Sequence, residues 1–454
     1  MRAFFREKSK AEIWISAIGI AVLTALLIYW WITDSNVNRA GHVAALVSFA
    51  LFVGICLRFV PVWLADWTRK EPVPDIKTVH DGKKSDEIKI FLIFLLIGPA
   101  VILAARAVRV AVFKDTVSFL DGLETFLYVD VGYYLDIAEH WYTAIGENRF
   151  TLVFYPGFPL IVKGVNLLVG NYLYSAFLTA DFFYACSALL MYRLLLLDYP
   201  RKTVLRVIKY LAIVPAAFFF VVPQSESLFL FLSIGSVYLA RKDHWLLAGA
   251  TGAFAAFTRS LGVLVFIPLF FEAVSGLVNH PEDRRKWLFR TVAAFIVPLG
   301  TVLYLFINYQ VTGNPFAFSD LETEKWGQSM GLFFDTTAFQ IDNALADLQQ
   351  PWFTNSLGLW LPNVAYCFAT LILMFFAANK IRSGYSAWFI AYYFIAIGVT
   401  YLISAPRYLV ACFPLYPALA EAAGNKKTDR ILTGIFLITA MYYFFAFLAH
   451  WEVY

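Results

Sequence analysis

The stretch IWISAIGIAVLTALLIYWWI occupies residues 13–32 and contains no charged side chain. A bilayer core about 30 Å thick is crossed by about 20 apolar helical residues, so this stretch predicts a membrane-spanning helix. Arg2, Arg6, Lys8 and Lys10 precede it, and the apolar run is longer than the hydrophobic region of a signal peptide. We therefore expect it to stay attached as a first spanning helix.

The composition of the whole chain points the same way. Of 454 residues, 60% are hydrophobic, 18% are aromatic and only 15% are charged, and the mean hydropathy is +0.67. Alternation of the kind found in strands is absent, which predicts an all-α polytopic membrane protein. The net charge of +4 is small and its basic residues fall in short clusters, so nucleic acid is not an expected partner. The four cysteines lack paired or metal-ligand spacing, which predicts neither a disulfide nor structural zinc.

Apolar runs recur along the chain and predict thirteen crossings. They cover residues 13–32, 43–64, 90–113, 172–197, 204–222, 227–240, 245–258, 261–278, 288–309, 357–378, 385–403, 408–423 and 431–450.

The loops between these runs predict an orientation. Seven basic clusters fall on one side, which is cytoplasmic by the positive-inside rule and includes the N-terminus. Two acidic segments, residues 114–150 and 311–355, then face outward, from a bacterial plasma membrane or from an endoplasmic reticulum membrane in a eukaryote. The assignment requires residues 154–169, with their two prolines, to form a kinked element that does not cross. It also requires residues 245–278 to be two helices broken near Arg259.

Three regions follow from this pattern. Residues 1–89 form a two-helix extension and a cytoplasmic linker, residues 90–279 a central module, and residues 280–454 the C-terminal helices with the outer loop 311–355. A membrane partner could dock through residues 1–64.

The first outer segment contains YVDVGYYLDIAEHWY, residues 128–142, and its first acidic residue is Asp130. A partly desolvated carboxylate at a membrane surface can act as a general base toward a bound hydroxyl, but an aspartate there can equally cap a helix. Asp136, Glu139 and His140 have a spacing that suits either a metal ion or a solvated intrahelical pair, and the pair is the commoner use. A divalent metal is therefore not indicated.

Two arginines, Arg259 and Arg407, stand at the outer ends of predicted spans against the positive-inside trend. Arginine at such a position often snorkels to the headgroups, but a guanidinium also holds phosphate through paired hydrogen bonds. Glu226 begins a span, where it could stabilise a helix N-terminus or contact a substrate.

In this order, the motifs resemble those of the PIG-V family, the second mannosyltransferases of GPI-anchor assembly and their bacterial relatives, within the GT-C membrane glycosyltransferases. IAEHWY at 137–142, FYPGFPL at 154–160, SESLF at 225–229 and Arg259-Ser260 with Gly262 are similar to the family's motifs. Val129, Gln224 and Leu261 depart from them.

The resemblance implies a GT-C fold and inverting transfer of a sugar, mannose by analogy, from a polyprenyl- or dolichyl-phosphate donor to a glycan or glycolipid acceptor outside the cytoplasm. Asp130 would be the catalytic base, and Arg259 and Arg407 would bind the donor phosphate. Substrate-binding positions would be Tyr133, Tyr134, His140, Tyr155, Pro156, Gln224, Glu226 and Tyr408. Aromatic residues of the outer loop, Trp326, Trp352 and Phe353, could shape the sugar and lipid sites or lie in an interfacial belt.

Two other functions stay open at this point. A lipid or glycan flippase would also be polytopic and bind phosphate, although transporters usually place polar groups near the middle of the membrane and show repeats. A non-catalytic assembly subunit would account for the N-terminal extension, but it gives no reason for Asp130 beside Arg259.

Overall fold

The protein is described by a computed structural model that covers residues 10–33, 37–68, 82–118, 120–378 and 380–454. Within these residues the chain is helical and forms no named strand. The α-helices are α1 (Lys10–Thr33), α2 (Arg39–Thr68), α3 (Lys84–Ala111), α4 (Val131–His140), α5 (Gly157–Val169), α6 (Tyr172–Leu195), α7 (Arg201–Ile213), α8 (Glu226–Arg241), α9 (Trp245–Ala256), α10 (Phe266–Asn279), α11 (Arg284–Ala294), α12 (Leu299–Thr312), α13 (Ala317–Trp326), α14 (Phe333–Asp347), α15 (Leu361–Ala377), α16 (Ser383–Ile397), α17 (Ala405–Val410), α18 (Leu415–Ala422) and α19 (Lys426–Leu448). Short 3₁₀ helices at Asp121–Phe126, Glu147–Val153, Ala217–Phe220, Ser260–Val265 and Pro281–Asp283, and a π-helix at Ser356–Trp360, lie between them.

Eight helical segments of the described chain are long and apolar enough to cross a membrane, which indicates an integral membrane protein. Each overlaps one of the predicted spans, but the count of thirteen is not confirmed. The other predicted spans contain shorter helices, α7, α8, α9, α16 and the pair α17 and α18. Prolines account for some of the shortening, because α7 ends just before Pro215 and α17 is separated from α18 by Pro414.

The two predicted breaks are present. The 3₁₀ helix Glu147–Val153 and α5 meet at an angle of 108° on either side of Tyr155 and Pro156, as the kinked element requires. Farther along, α9 ends at Ala256, and Arg259 has an extended backbone before the 3₁₀ helix Ser260–Val265 begins.

Close backbone packing holds these two breaks together. The amide of Gly157 donates a hydrogen bond to the carbonyl oxygen of Phe257 at 3.0 Å, and a Cβ at Gly157 would overlap Thr258. A Cβ at Gly262 would likewise overlap the carbonyl of Ala255. Glycine is needed at both positions because no side chain fits, and the result is a fixed position for the segment that carries Arg259.

The N-terminal extension packs against the second predicted outer segment, residues 311–355. The indole of Trp30 donates a hydrogen bond to Asp335 at 2.8 Å, and the hydroxyls of Ser48 and Thr337 lie 2.8 Å apart. Thus α1 and α2 contact α14. Most of the predicted linker, residues 69–81, and the basic residues Arg2, Arg6 and Lys8 lie outside the described residues.

Candidate active site

Asp130 occupies the residue before α4, where an aspartate could cap the helix, but its side chain makes no capping hydrogen bond. Instead, Oδ2 accepts a hydrogen bond from Nη2 of Arg407 at 2.5 Å. The carboxylate is therefore directed toward α17 and away from the free amides of its own helix. The Asp130 side chain therefore does not cap α4, contrary to one of the two interpretations of the sequence.

The residue before Asp130 has an unusual backbone. Val129 has φ = 66°, in the left-handed region that β-branched residues rarely adopt. Such a conformation costs about 1–3 kcal/mol and persists only where the surroundings impose it. Here it turns the chain immediately before the carboxylate, and Val129 itself lines the adjoining cavity.

Glu226, in the first turn of α8, connects the two arginines. Its Oε1 accepts a hydrogen bond from Nη1 of Arg259 and lies 3.0 Å from Nε of Arg407 without hydrogen-bond geometry. All three side chains are buried. Neither arginine snorkels to the surface, and together with Asp130 they form a cluster of two carboxylates and two guanidinium groups.

Neutral polar groups complete this cluster. The Ser225 hydroxyl accepts a hydrogen bond from Arg259 Nη1 at 3.2 Å and lies 2.9 Å from the Tyr134 hydroxyl. Gln224 accepts one from Arg407 Nη1 at 3.3 Å. Three polar atoms of the cluster, Glu226 Oε2, Gln224 Nε2 and Arg407 Nε, are buried and lack a hydrogen-bond partner among the described residues. Buried polar groups in native proteins are nearly always paired, so these atoms indicate a site that a ligand or water completes.

A cavity of about 840 Å³ opens beside the cluster. The sequence-predicted residues that line it come from four separate segments of the chain: Asp130, Tyr133, Tyr134, Tyr155, Arg259, Arg407 and Tyr408. Gln224 and Glu226 lie behind this wall and contact the arginines.

Two predicted substrate-binding residues are placed elsewhere. The ring of His140 is exposed and pairs with Asp136 at 3.0 Å, because the i, i+4 spacing brings both side chains to the outer face of α4. Pro156 is the residue before α5 and does not line the cavity. The structure therefore does not bring His140 or Pro156 to the site.

No protein-family model matches this sequence, and no curated protein matches it. Solved structures that resemble it include three of the oligosaccharyltransferase of Archaeoglobus fulgidus. One, tethered to an acceptor peptide, has a TM-score of 0.41 and 14% identity over 82% of this chain and 56% of that one. Another, AglB with an inhibitory peptide and a dolichol-phosphate, has a TM-score of 0.39 and 13% identity over 81% and 56%. The apo form has a TM-score of 0.37 and 12% identity over 82% and 56%.

The chain thus spans little more than half the length of these oligosaccharyltransferases, and TM-scores below 0.5 do not establish a common fold. The PIG-V resemblance is not shown by any of these comparisons and stays a prediction.

An apolar groove of about 860 Å³ lies next to the charged cluster. Its walls come from α15, α17, α18 and α19, and Leu409 and Val410 of α17 line it. The preceding residues of the same short helix, Arg407 and Tyr408, line the polar cavity. One helix therefore contributes to both spaces, with its charged residue on the polar side.

Helix α13 contributes residues that the motifs did not identify. Phe318, Glu322, Lys325 and Trp326 have the spacing of one helical face and line the cavity. Trp326 was among the predicted aromatics, whereas Trp352 is 84% exposed. The periodicity of residues 317–326 was the available signal, but the sequence does not say which face meets the site. No group of three His, Cys, Asp or Glu side chains able to hold a metal ion occurs in the described part of the chain.

Proposed function

We propose that the protein is a membrane glycosyltransferase. It transfers a sugar, mannose by the motif resemblance, from a polyprenyl- or dolichyl-phosphate to an acceptor hydroxyl with inversion, on the extracytoplasmic side. The observation that carries this proposal is the cluster of Asp130, Arg407, Glu226 and Arg259 beside a cavity of about 840 Å³.

In the proposed step, an acceptor hydroxyl oxygen attacks the anomeric carbon of the donor. The bond between that carbon and the phosphate oxygen breaks, and the lipid phosphate leaves with the electron pair. Asp130 takes the hydroxyl proton as the new glycosidic bond forms, which is the role of a general base within hydrogen-bond reach. Arg259 and Arg407 stabilise the negative charge that develops on the leaving phosphate.

The charge balance of the cluster suits this sequence of events. Two carboxylates and two guanidinium groups offset one another, and Arg407 contacts both carboxylates. A donor phosphate that accepts hydrogen bonds from Arg407 competes with Asp130 for the same guanidinium. Donor binding would therefore free the Asp130 carboxylate for the acceptor hydroxyl.

The apolar groove supports a lipid-linked donor. An isoprenoid chain needs apolar surface that begins within a few ångströms of its phosphate, and α17 supplies Arg407 toward one space and Leu409 toward the other. A flippase would also need a lipid path, but unpaired buried polar atoms next to the Asp130 carboxylate favour chemistry at one place.

The decisive experiment compares Asp130→Asn with Asp136→Asn in purified protein. Dolichyl- and polyprenyl-phosphate hexoses serve as donors with octyl hexopyranosides as acceptors, and released lipid phosphate and glycosylated product are measured. We expect Asp130→Asn to lower kcat by about 10²–10⁴, since positioned general bases contribute that much.

Asp136 lies in α4, pairs with His140 and does not line the cavity, so Asp136→Asn should retain wild-type rates. Both variants should show the wild-type melting temperature. Full transfer by Asp130→Asn would remove the base from the mechanism, and equal losses in both variants would indicate damage to α4.

A further inference from the structure

Glu322, on α13, is one of three carboxylates that line the cavity. The other two, Asp130 and Glu452, accept hydrogen bonds from Arg407 and from the Tyr454 hydroxyl. Glu322 lies on the face of α13 that also carries Phe318 and Trp326, and all three side chains line the cavity. Within the described residues, the carboxylate of Glu322 has neither a hydrogen-bond nor an ion-pair partner.

The neighbouring charges of α13 are already paired. Lys325 donates a hydrogen bond to Glu147 at 2.9 Å, and Glu324 accepts one from Arg149 at 2.6 Å. Both pairs attach α13 to the 3₁₀ helix Glu147–Val153. Glu322 is therefore the charged residue of α13 that faces the cavity without a counterion among the described residues.

Aromatic residues line the same cavity as Glu322, among them Tyr155, Tyr408 and Trp326. Tyr155 in turn stacks on Tyr304 with ring centroids 3.8 Å apart. Other charged groups on the cavity wall are Asp130, Arg259, Arg407, Lys325 and Glu452. Burial among these groups raises the pKa of Glu322 to about 7.

Glu322 is half-buried, and its carboxylate faces the cavity without a protein partner, so the position suits a ligand that supplies hydrogen-bond donors. Hydroxyl groups of a sugar are such donors, and the tyrosine and tryptophan rings offer apolar faces for the ring carbons. The donor phosphate and lipid belong to the side of Arg407 and the groove. The α13 side of the cavity is left for the acceptor.

We propose that Glu322 binds the acceptor sugar by accepting hydrogen bonds from its hydroxyl groups, and that it sets acceptor affinity without taking part in the transfer step. This inference rests on the proposed glycosyltransferase function and deepens it.

The first test is steady-state kinetics of Glu322→Gln with the octyl hexopyranosides. A hydrogen bond to a charged group contributes more than a neutral one, so the acceptor KM should rise about tenfold or more. The donor KM and kcat should change little. Glu322→Asp should recover part of the affinity, and Glu324→Gln, two residues away on the same helix, should behave as wild type.

The second test needs no substrate. A carboxyl whose pKa is higher in the folded than in the unfolded protein destabilises the fold at high pH, and this penalty disappears as the pH falls toward the unfolded value of 4.5. Glu322→Gln should therefore raise the apparent melting temperature at pH 8 and leave it nearly unchanged near pH 4.5. A lower melting temperature at pH 8 would make Glu322 a structural residue and overturn the proposal.

The two proposals fail in different ways. An unchanged acceptor KM in Glu322→Gln, together with an inactive Asp130→Asn, would overturn the acceptor site and leave the transferase intact. Active Asp130→Asn would remove the proposed base whatever Glu322 does. Binding of the octyl hexopyranosides can also be followed by quenching of tryptophan fluorescence, because Trp326 lines the cavity. Equal quenching in wild type and Glu322→Gln would count against the acceptor site even without turnover.

Discussion

Two buried clusters of arginine and carboxylate lie at the two ends of α8. At its start, Glu226 joins Arg259, Arg407 and Asp130 beside the cavity. At its end, Arg241 makes two hydrogen bonds of 3.0 Å to Asp198, and Arg382 pairs with both Glu272 and Asp198. At 1.5 Å per residue, the length of α8 separates the clusters by about 22 Å.

The clusters differ in how completely their atoms are paired. The Asp198 cluster, as far as the structure describes it, contains no buried side-chain atom without a partner, and two of its ion pairs are bidentate. In the Asp130 cluster, Arg407 contacts Asp130, Glu226 and Gln224, and one atom each of Arg407, Glu226 and Gln224 lacks a hydrogen-bond partner among the described residues. Completed networks rigidify a fold, whereas incomplete ones beside a cavity mark a binding site. The same residue types therefore serve structure at one end and, we propose, chemistry at the other.

The largest expected effect comes from breaking the completed cluster. Arg382→Ala leaves Glu272 without its counterion, and loss of one partner of a buried pair costs about 3–5 kcal/mol. We expect a large drop in melting temperature and in the yield of folded protein. Rates per folded molecule should stay at the wild-type level, because Arg382 lies far from the cavity. A fully stable but inactive Arg382→Ala variant would contradict the proposed distinction between the clusters at the two ends of α8.

A smaller effect is expected from one conservative change made at each end. Lysine cannot reproduce the paired hydrogen bonds of a guanidinium. Arg259→Lys should raise the donor KM about tenfold, as expected where one charge-assisted hydrogen bond is weakened, and change the melting temperature little. Arg241→Lys should lower the melting temperature and leave the donor KM unchanged. The two variants should give opposite results when they are measured in the same donor titration and thermal scan. The same outcome in both would refute the proposed contrast between the two clusters of α8.

The sequence predicts the long apolar helices well, because a run of 18 or more apolar residues is by itself a sufficient signal for a spanning helix. It fails for the shorter ones such as α17 and α18, whose ends depend on Pro414 and on packing among neighbours. The break at Arg259 was predictable from the polar residues within an apolar run. The overlap of Gly262 with Ala255 that fixes this break is a tertiary contact and had no local signal.

The site shows the same limit. Local motifs select Asp130, Arg259 and Glu226, but they do not say that Asp130 pairs with Arg407, 277 residues away, while Arg259 pairs with Glu226. Glu322 belongs to no motif, and only the tertiary structure distinguishes it from Glu324, because Glu322 lines the cavity whereas Glu324 pairs with Arg149. For His140 the motif resemblance and the local spacing point to different roles, and the structure contains the surface pair with Asp136 that the spacing favours.

The smallest expected effect tests whether the neutral residues of the Asp130 cluster position its arginine. Tyr134→Phe removes the hydroxyl that lies 2.9 Å from Ser225, which itself accepts a hydrogen bond from Arg259. A neutral hydrogen bond contributes about 0.5–1.5 kcal/mol, so the donor KM should rise at most about tenfold. Tyr134 lies within the buried cluster and its ring packs on Phe158, so the ring of phenylalanine should keep the fold. If Tyr134→Phe instead lowers kcat as strongly as Asp130→Asn, the Tyr134 hydroxyl contacts the reacting groups directly. In that case it is wrong to divide the cluster into charged groups that take part in the transfer and neutral groups that position them.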